Sequence, residues 1–369
     1  MKVVVTGADG FLGWHLRVRA HAEGIHELLP AQRDNWAELA SLVKSADAIV
    51  HIAGVNRGEP DVVERGNEAL ARDVARAVEG AGGPRTLVYA NSIQSGNGTP
   101  YGTGKEVAAR LLRASVESSG GTFVDVQLPN LFGEHGRPDY NSFVATFVEH
   151  AVLGTQPQVV DRAVPLLHSQ SAAATLLDAL TGAPGVVRPR ATDISVSRVW
   201  DLLQGFADTY AVGDVPKLSS QFEVDLFNTF RSRLFPERYP IALTAHADDR
   251  GRLVETVRSH GGQGQTFVST TRPGVTRGEH FHLRKIERFV VLSGRATIGL
   301  RKVLGTDVVR FDVSGELPVI VDMPTMWAHN ITNTGDEELV TLFWTNELFD
   351  PSDPDTYREL VGSEKVESC

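Results

Sequence analysis

The sequence predicts two folds in one chain: an α/β domain on a doubly wound parallel sheet, then an all-β barrel. Three observations predict this. An apolar run, Lys2–Thr6, ends in a glycine-rich turn that opens a helix, which is the setting of a nucleotide-binding sheet. Apolar runs and helical stretches then alternate to about residue 240, as crossovers between parallel strands require. From Ile241 to about Asn346 the pattern becomes short alternating strands, the signature of an antiparallel barrel. We expect domains at 1–240 and 241–369, with the boundary in the proline-marked stretch Leu234–Pro240.

Composition narrows the function. The 369 residues suffice for two or three buried cores. Lys and Arg number 36 against 46 Asp and Glu, a net charge of −10, which argues against nucleic acid or anionic membrane as a general partner. The single cysteine, Cys369, is the last residue, so no internal disulfide forms and an oxidising compartment gains no support. Met1 leads directly into a buried-type strand, and no apolar run reaches membrane-spanning length. A soluble, cytoplasmic protein without membrane insertion is expected.

Taken in order, Lys2–Thr6 has the continuous apolar character of a strand covered on both faces. Gly7-Ala-Asp-Gly10-Phe11-Leu12-Gly13 then lets backbone N–H groups approach a pyrophosphate at the N-terminus of a helix that runs to Ala22. The strand around Glu27 ends at Pro30-Ala-Gln-Arg33. An NAD enzyme usually holds an acid at this ribose position. Arg33 stands there instead, so the expected cofactor is NADPH; Asp34 follows at once, and the arginine could equally be a solvated surface residue. Asp47–Gly54 is another buried-type strand, and its small final residues, Ala53 and Gly54, leave room for a cofactor. A helix over Asp61–Glu79 and a strand over Thr86–Ala90 follow.

Ser92 comes just past that strand, and Tyr101-Gly-Thr-Gly-Lys105 opens the next helix. Tyr101 and Lys105 at i and i+4 share one helical face. An ammonium there favours the phenolate and can hold a ribose, and a serine hydroxyl can bond a substrate oxygen. Together these groups protonate a carbonyl as hydride arrives. A Y-x-x-x-K spacing alone is only a helix face. Downstream of a glycine turn, with Ser92 before it, it reads as catalytic. After strand Phe123–Leu128, Pro129-Asn130 leads to Arg137 and Asn141. These lie in a loop at the carboxyl end of a parallel sheet, where ligands bind; each could equally cap a helix. Helices near Ser169–Leu180, Val196–Thr209 and Phe222–Leu234 complete the domain.

The barrel carries its own chemistry. Gly274 is followed by five residues, His280-Phe-His282, four residues, Glu287, six residues and Gly294. Histidines at i and i+2 on a strand point to one face, a glutamate on the next strand can meet them, and His329 follows on a later strand. Three imidazoles and one carboxylate suit a divalent transition metal, zinc first. Lys285, between the ligands, is a candidate acid/base or a solvated strand residue. The spacing resembles the two motifs of the cupin β-barrel, a jelly roll.

Thr6–Gly13 with Tyr101 and Lys105 resembles the extended short-chain dehydrogenase/reductase family, a Rossmann-like fold whose members act on nucleotide sugars. With the cupin behind it, the chain resembles the CapF family of bifunctional capsular polysaccharide enzymes over essentially its whole length. Ala53–Arg57, Asn91–Gln94, Pro129–Gly133, Arg137–Phe147, Asp249–Gly251 and Phe349–Pro351 carry that resemblance. It implies a UDP-linked 4-keto-6-deoxy-N-acetylhexosamine as substrate, C3 epimerisation at the cupin, and NADPH-dependent C4 reduction in the first domain. The product would be a UDP-N-acetyl-6-deoxy-L-talosamine, a precursor of N-acetyl-L-fucosamine, and a homodimer through the cupin is also implied. The chain departs from the family pattern at Met326, where many cupins have glycine, at Leu167-His168-Ser-Gln-Ser-Ala, and at Gln127, where a basic residue is usual. Two rival readings are a reductase with a purely structural metal site and a non-catalytic NADP- or sugar-binding regulator. Intact Ser92, Tyr101 and Lys105 weigh against the regulator, which needs no proton donor.

Overall fold

Strand β1 (Lys2–Thr6) is an interior strand because Val3, Val4 and Val5 are all fully buried, on alternating faces. After it the elements alternate: α1 (Phe11–Glu23), β2 (Glu27–Ala31), α2 (Leu39–Ser45), β3 (Ala48–His51), α3 (Pro60–Ala81), β4 (Thr86–Ser92), α4 (Pro100–Ser118) and β5 (Thr122–Leu128). Next come β6 (Asn130–Phe132), α5 (Phe143–Leu153), β7 (Ala163–His168), α6 (Ser169–Asp178), β8 (Gly185–Val187) and β9 (Thr192–Ser195). The main sheet has the order β2-β1-β3-β4-β5-β8 and every pairing is parallel. Pro30 sits in β2, an edge strand, where a missing N–H is tolerated. The computed structural model describes residues 1–83 and 85–362; Cys369 lies outside them.

Helices cover both faces of this sheet. Val3, Val5, Val50, Val88 and Val124 pack with Leu16 of α1 and Leu176 of α6. Val4, Ile49, Leu87 and Phe123 pack on the other side with Val43, Val74 and Leu112. This is the Rossmann-like architecture expected. The strand order reverses between β1 and β3, because β2 lies outside β1 and β4 lies outside β3. The crevice at such a switch point is where an α/β sheet binds ligands.

The second unit contains α7 (Val196–Tyr210) and α8 (Gln221–Leu234), followed by strands. These are β10 (Ile241–Ala242), β11 (Ala245–Asp248), β12 (Gly251–Val254), β13 (Gln265–Thr271), β14 (Thr276–Phe281), β15 (Glu287–Ser293), β16 (Arg295–Lys302), β17 (Val308–Ser314), β18 (Val319–Met323), β19 (Trp327–Asn333), β20 (Leu339–Thr345) and β21 (Tyr357–Arg358). Two five-stranded sheets form, β10-β18-β15-β20-β13 and β17-β16-β19-β14-β21, with β11 and β12 as a separate hairpin. Their pairings are all antiparallel.

Contacts divide the chain into Met1–Phe143 with Asp161–Val196, and Val144–Val160 with the chain from Ser197 onward. Helices α7 and α8 therefore go with the β sheets, and the compact units do not split at residue 240. The reason is buried polar pairing. Arg288 holds Asp322 at 2.7 and 2.9 Å, and the Tyr210 hydroxyl of α7 donates to the same carboxylate at 2.5 Å. From α8, Arg231 donates to the Met323 carbonyl at 3.3 Å and Asn228 to the Arg284 carbonyl at 2.7 Å. Withdrawing α7 would remove one donor from the buried Asp322 carboxylate, and withdrawing α8 would remove the donors to the Met323 and Arg284 carbonyls, each a destabilising loss.

Candidate active site and metal centre

The glycine turn is shaped by close approach. Gly7 has φ +69°, and a Cβ on it would lie 2.8 Å from the Ala53 nitrogen. A Cβ on Gly13 would lie 2.2 Å from the Gly7 carbonyl oxygen, so any side chain at either position would part the strand from the helix. Gly10 is the N-cap of α1 with no side-chain cap, and the first turn, which starts at Phe11 and Leu12, carries no acid. A helix start left open in this way fits the anionic pyrophosphate of a dinucleotide. Past the end of β2, Arg33 is exposed. Beside it Asp9 of the turn accepts from Gln32 Nε2 at 2.6 Å and from Arg17 at 3.0 Å. Asp9 and Gln32 are 23 residues apart, and no motif in the sequence links them.

The three expected catalytic residues of this unit meet. Thr99 caps α4 by accepting from Gly102 N at 3.1 Å, with Pro100 opening the helix; this sets Tyr101 and Lys105 on one face. The buried Lys105 ammonium donates to the Ala90 carbonyl at 2.8 Å and lies 4.7 Å above the Tyr89 ring and 6.0 Å from the centre of the Tyr101 ring. Burial pulls its pKa down to about 8, opposed by the Asp125 carboxylate. Burial raises that of Tyr101, opposed by a hydrogen bond with the Ser92 side chain. At neutral pH the phenol is therefore protonated, as a proton donor must be. Gly54 lies beside this site: a Cβ on it would lie 3.7 Å from Lys105 Nζ.

Of the expected substrate contacts, Asn130 follows Pro129 as the first residue of β6 and donates to the Pro165 carbonyl at 3.2 Å. The Arg137 guanidinium lies 5.4 Å from the Tyr140 ring centre, and Asn141 is exposed beside it. Arg57 also approaches that ring, at 5.3 Å, and donates to the Asp139 carbonyl at 2.7 Å. In the sequence Arg57 is marked only by the family resemblance of Ala53–Arg57. Gln127, where the family pattern has a basic residue, accepts from Arg188 at 2.9 Å, so a guanidinium is brought there from β8's end of the chain. His168 lies 2.9 Å from the buried Glu134 carboxylate, and Gln170 lies 3.0 Å from His15 Nδ1.

In the second unit, His280, His282, Glu287 and His329 offer ligand atoms within 4.8 Å of one another. His280 on β14 faces His329 on β19 as its register partner. The Glu287 Oε2 atom lies 3.8, 3.2 and 3.0 Å from Nε2 of His280, His282 and His329. Burial pulls His329 down to about 4. Glu287 is held well below the usual carboxylate range by its three histidines despite burial, and His282 is raised because Glu287 and Asp355 outweigh burial. Three imidazoles and one carboxylate converging on one point fit a divalent metal. The Lys285 ammonium donates to the Pro354 carbonyl at 2.6 Å. Met326, the departure from cupin glycine, has φ +62°, and its N–H donates to the His282 carbonyl at 2.7 Å. The backbone here keeps the conformation for which glycine is the usual choice.

Comparison with known proteins matches a different family to each part of the chain. Residues 3–182 match the NAD dependent epimerase/dehydratase family, and residues 246–357 match the polysaccharide biosynthesis C-terminal domain. A UDP-2-acetamido-2,6-beta-L-arabino-hexul-4-ose reductase of Pseudomonas aeruginosa is 33% identical over 371 residues, covering 98% of this chain and 99% of its own. The crystal structure of the capsular polysaccharide assembling protein CapF from Staphylococcus aureus shares 34% identity over 98% of this chain and 100% of that one, with a TM-score of 0.61. A UDP-N-acetylglucosamine 4-epimerase from Methanobrevibacter ruminantium shares the fold at 16% identity and a TM-score of 0.54, over 63% of this chain and 98% of that one.

Proposed function

The chain belongs to the CapF family, and from that premise we propose that it is a bifunctional nucleotide-sugar enzyme of surface polysaccharide synthesis. Its substrate is a UDP-linked 2-acetamido-2,6-dideoxy-4-keto-hexose. The second unit, a cupin, inverts C3, and the first reduces the C4 ketone to give a UDP-N-acetyl-6-deoxy-L-talosamine. The observation that carries this reading is the pairing, in one chain, of an assembled Ser92–Tyr101–Lys105 site with a four-ligand metal cluster.

Gly7, Gly10, Phe11, Leu12 and Gly13 would hold the pyrophosphate of the cofactor, Ala53, Gly54 and Pro129 would line the crevice, and Arg33 would take the 2′-phosphate. NADPH bound there supplies the hydride for C4. Tyr101 gives its phenolic proton to the C4 oxygen, Ser92 holds that oxygen, and the Lys105 charge stabilises the phenolate left behind. Asn130, Arg137 and Asn141 contact the diphosphate or the sugar.

At the other site the C4 ketone acidifies the C3 proton, so a base can remove it and an acid can return it on the opposite face. Lys285 is the candidate for one of these transfers. His280, His282, Glu287 and His329 would hold a divalent metal, zinc first, which would supply positive charge beside the C4 oxygen. Reduction then removes the acidity and fixes the new stereochemistry, a physical reason to join the two activities.

The protein acts in the cytoplasm as a homodimer. The hairpin β11–β12 supports the dimer: seven of its eight residues are exposed, and an isolated two-stranded hairpin is marginal in water. The test is incubation with a UDP-4-keto sugar and NADPH in D₂O, followed by product NMR. Oxidation of NADPH with deuterium at C3 is expected. Oxidation without exchange would leave a reductase with a structural metal site, and neither activity would leave a binding protein.

A further inference from the structure

Of the four ligands, His282 has its second ring nitrogen fixed from far away in the chain. Its Nδ1 lies 2.6 Å from the backbone carbonyl of Asp355, 73 residues on. A carbonyl oxygen only accepts, so Nδ1 carries the proton and Nε2 faces Glu287 as the ligand atom. His329 finds the equivalent partner locally, 3.0 Å away on the Trp327 carbonyl.

The Asp355 carbonyl does not arrive there by chance. Asp355 is 2% exposed and its φ is +42°, a left-handed conformation unusual outside glycine. Its carboxylate accepts from three successive N–H groups in the turn that follows the ligand: Leu283 and Arg284 at 3.0 Å and Lys285 at 2.8 Å. Neighbours add further ties. Arg284 pairs with Asp353 at 2.8 Å, and β21 pairs with β14 at Arg358 opposite His280. A side chain that only capped the turn would need the carboxylate alone. Here the same residue also aims its carbonyl at the ring.

We propose that Asp355 is a positioning residue of the metal centre, clamping His282 so that Nε2 is presented to the ion and thereby raising metal affinity. The proposal rests on the metal reading given above. Partners of this kind behind a ligand typically change metal affinity by about 10–100-fold.

The test uses the full chain loaded with zinc. In Asp355→Asn an amide NH₂ replaces an oxygen that faces backbone donors. In Asp355→Gly the left-handed backbone is kept and the carboxylate is lost. Competition against a chromophoric chelator should show zinc held about 10–100-fold more weakly in both variants, and more weakly than any fall in the metal-free Tm explains. If both variants fold and hold zinc within twofold of wild type, Asp355 is only a turn cap and the proposal fails. If neither folds, ¹⁵N NMR of the zinc-loaded wild type decides: Nδ1 of His282 must carry hydrogen and Nε2 the metal, and the reverse overturns it. Wild-type protein that takes up no zinc would sink the metal reading itself, and this inference with it.

Discussion

The Thr6 hydroxyl donates to Nδ1 of His51 across 2.7 Å. The direction follows from counting. Thr6 Oγ1 already accepts from the backbone N–H groups of Ile52 at 3.1 Å and Ala53 at 3.2 Å, so its own hydrogen goes to the ring. The relationship ties β1, which feeds the glycine turn, to the end of β3, and it requires a neutral His51. Burial, with the nearby Lys105 charge, pulls His51 down to about 3.

Stability should therefore depend on pH through this residue. The unfolded chain takes up a proton near 6.5 that the fold refuses until about 3, so the contribution is present above 6.5 and lost as pH falls from there toward 3. At 1.36 kcal/mol per pKa unit the full effect is about 5 kcal/mol. The difference in unfolding free energy between wild type and His51→Asn, measured by urea titration from pH 7 to 4, should shrink steadily. A constant difference would mean that His51 titrates in the fold as it does in the unfolded chain.

Lys105 should give two opposite slopes. Its charge in the cofactor-free protein is lost as pH rises through about 8, so kcat/KM for NADPH should fall above that pH along a single ionisation. Stability moves the other way. The unfolded lysine keeps its proton to 10.5, so between about 8 and 10.5 the fold gains up to about 3 kcal/mol. Lys105→Met should lose both slopes along with most of the activity. A kcat/KM that is flat to pH 10 in wild type would remove Lys105 from cofactor binding.

What could be read from the sequence was what is local in it. Gly7 and Gly13 lie in one turn, Tyr101 and Lys105 are a single helical step apart, and the histidine pair with Glu287 spans a few residues. Each spacing implies its geometry without knowledge of the rest of the fold. Pairings over long separations were not legible. Tyr210, Asn228 and Arg231 read as ordinary helix residues until Asp322, Arg284 and Met323 are placed beside them. The stretch around Asp355 reads as a proline- and aspartate-rich turn, because neither β21 nor the contact with His282 leaves a periodic trace. Helix α5 was missed too, since Phe143–Leu153 is more uniformly apolar than amphipathic.

Cofactor preference should be carried by Arg33. It is exposed past the end of β2, free to meet a 2′-phosphate, and no acid stands at that position. Its replacement by alanine should cost about 1–3 kcal/mol against NADPH, the range for a hydrogen bond to a charged group, and should leave NADH nearly untouched. The ratio of the two kcat/KM values reads this directly. An unchanged ratio assigns the phosphate to another residue.

The two half-reactions should separate by mutation, because their residues share no chemistry. On the proposed reading Tyr101 would give a proton to the C4 oxygen only as hydride arrives, whereas exchange at C3 would need a base and the metal cluster but no nicotinamide. Loss of a general acid removes a factor of about 10²–10⁴ in rate. Tyr101→Phe should thus nearly abolish NADPH oxidation while still placing deuterium at C3 of the keto sugar in D₂O. His282→Ala removes one of four converging ligands, so it should lower zinc content and stop exchange, and any remaining reduction should yield the unepimerised sugar. Mass spectrometry of the keto sugar without NADPH reads the first arm, and elemental analysis with product NMR reads the second. Should Tyr101→Phe block exchange as fully as reduction, the second unit would not act independently. Equal zinc in wild type and His282→Ala would show that this histidine is no ligand.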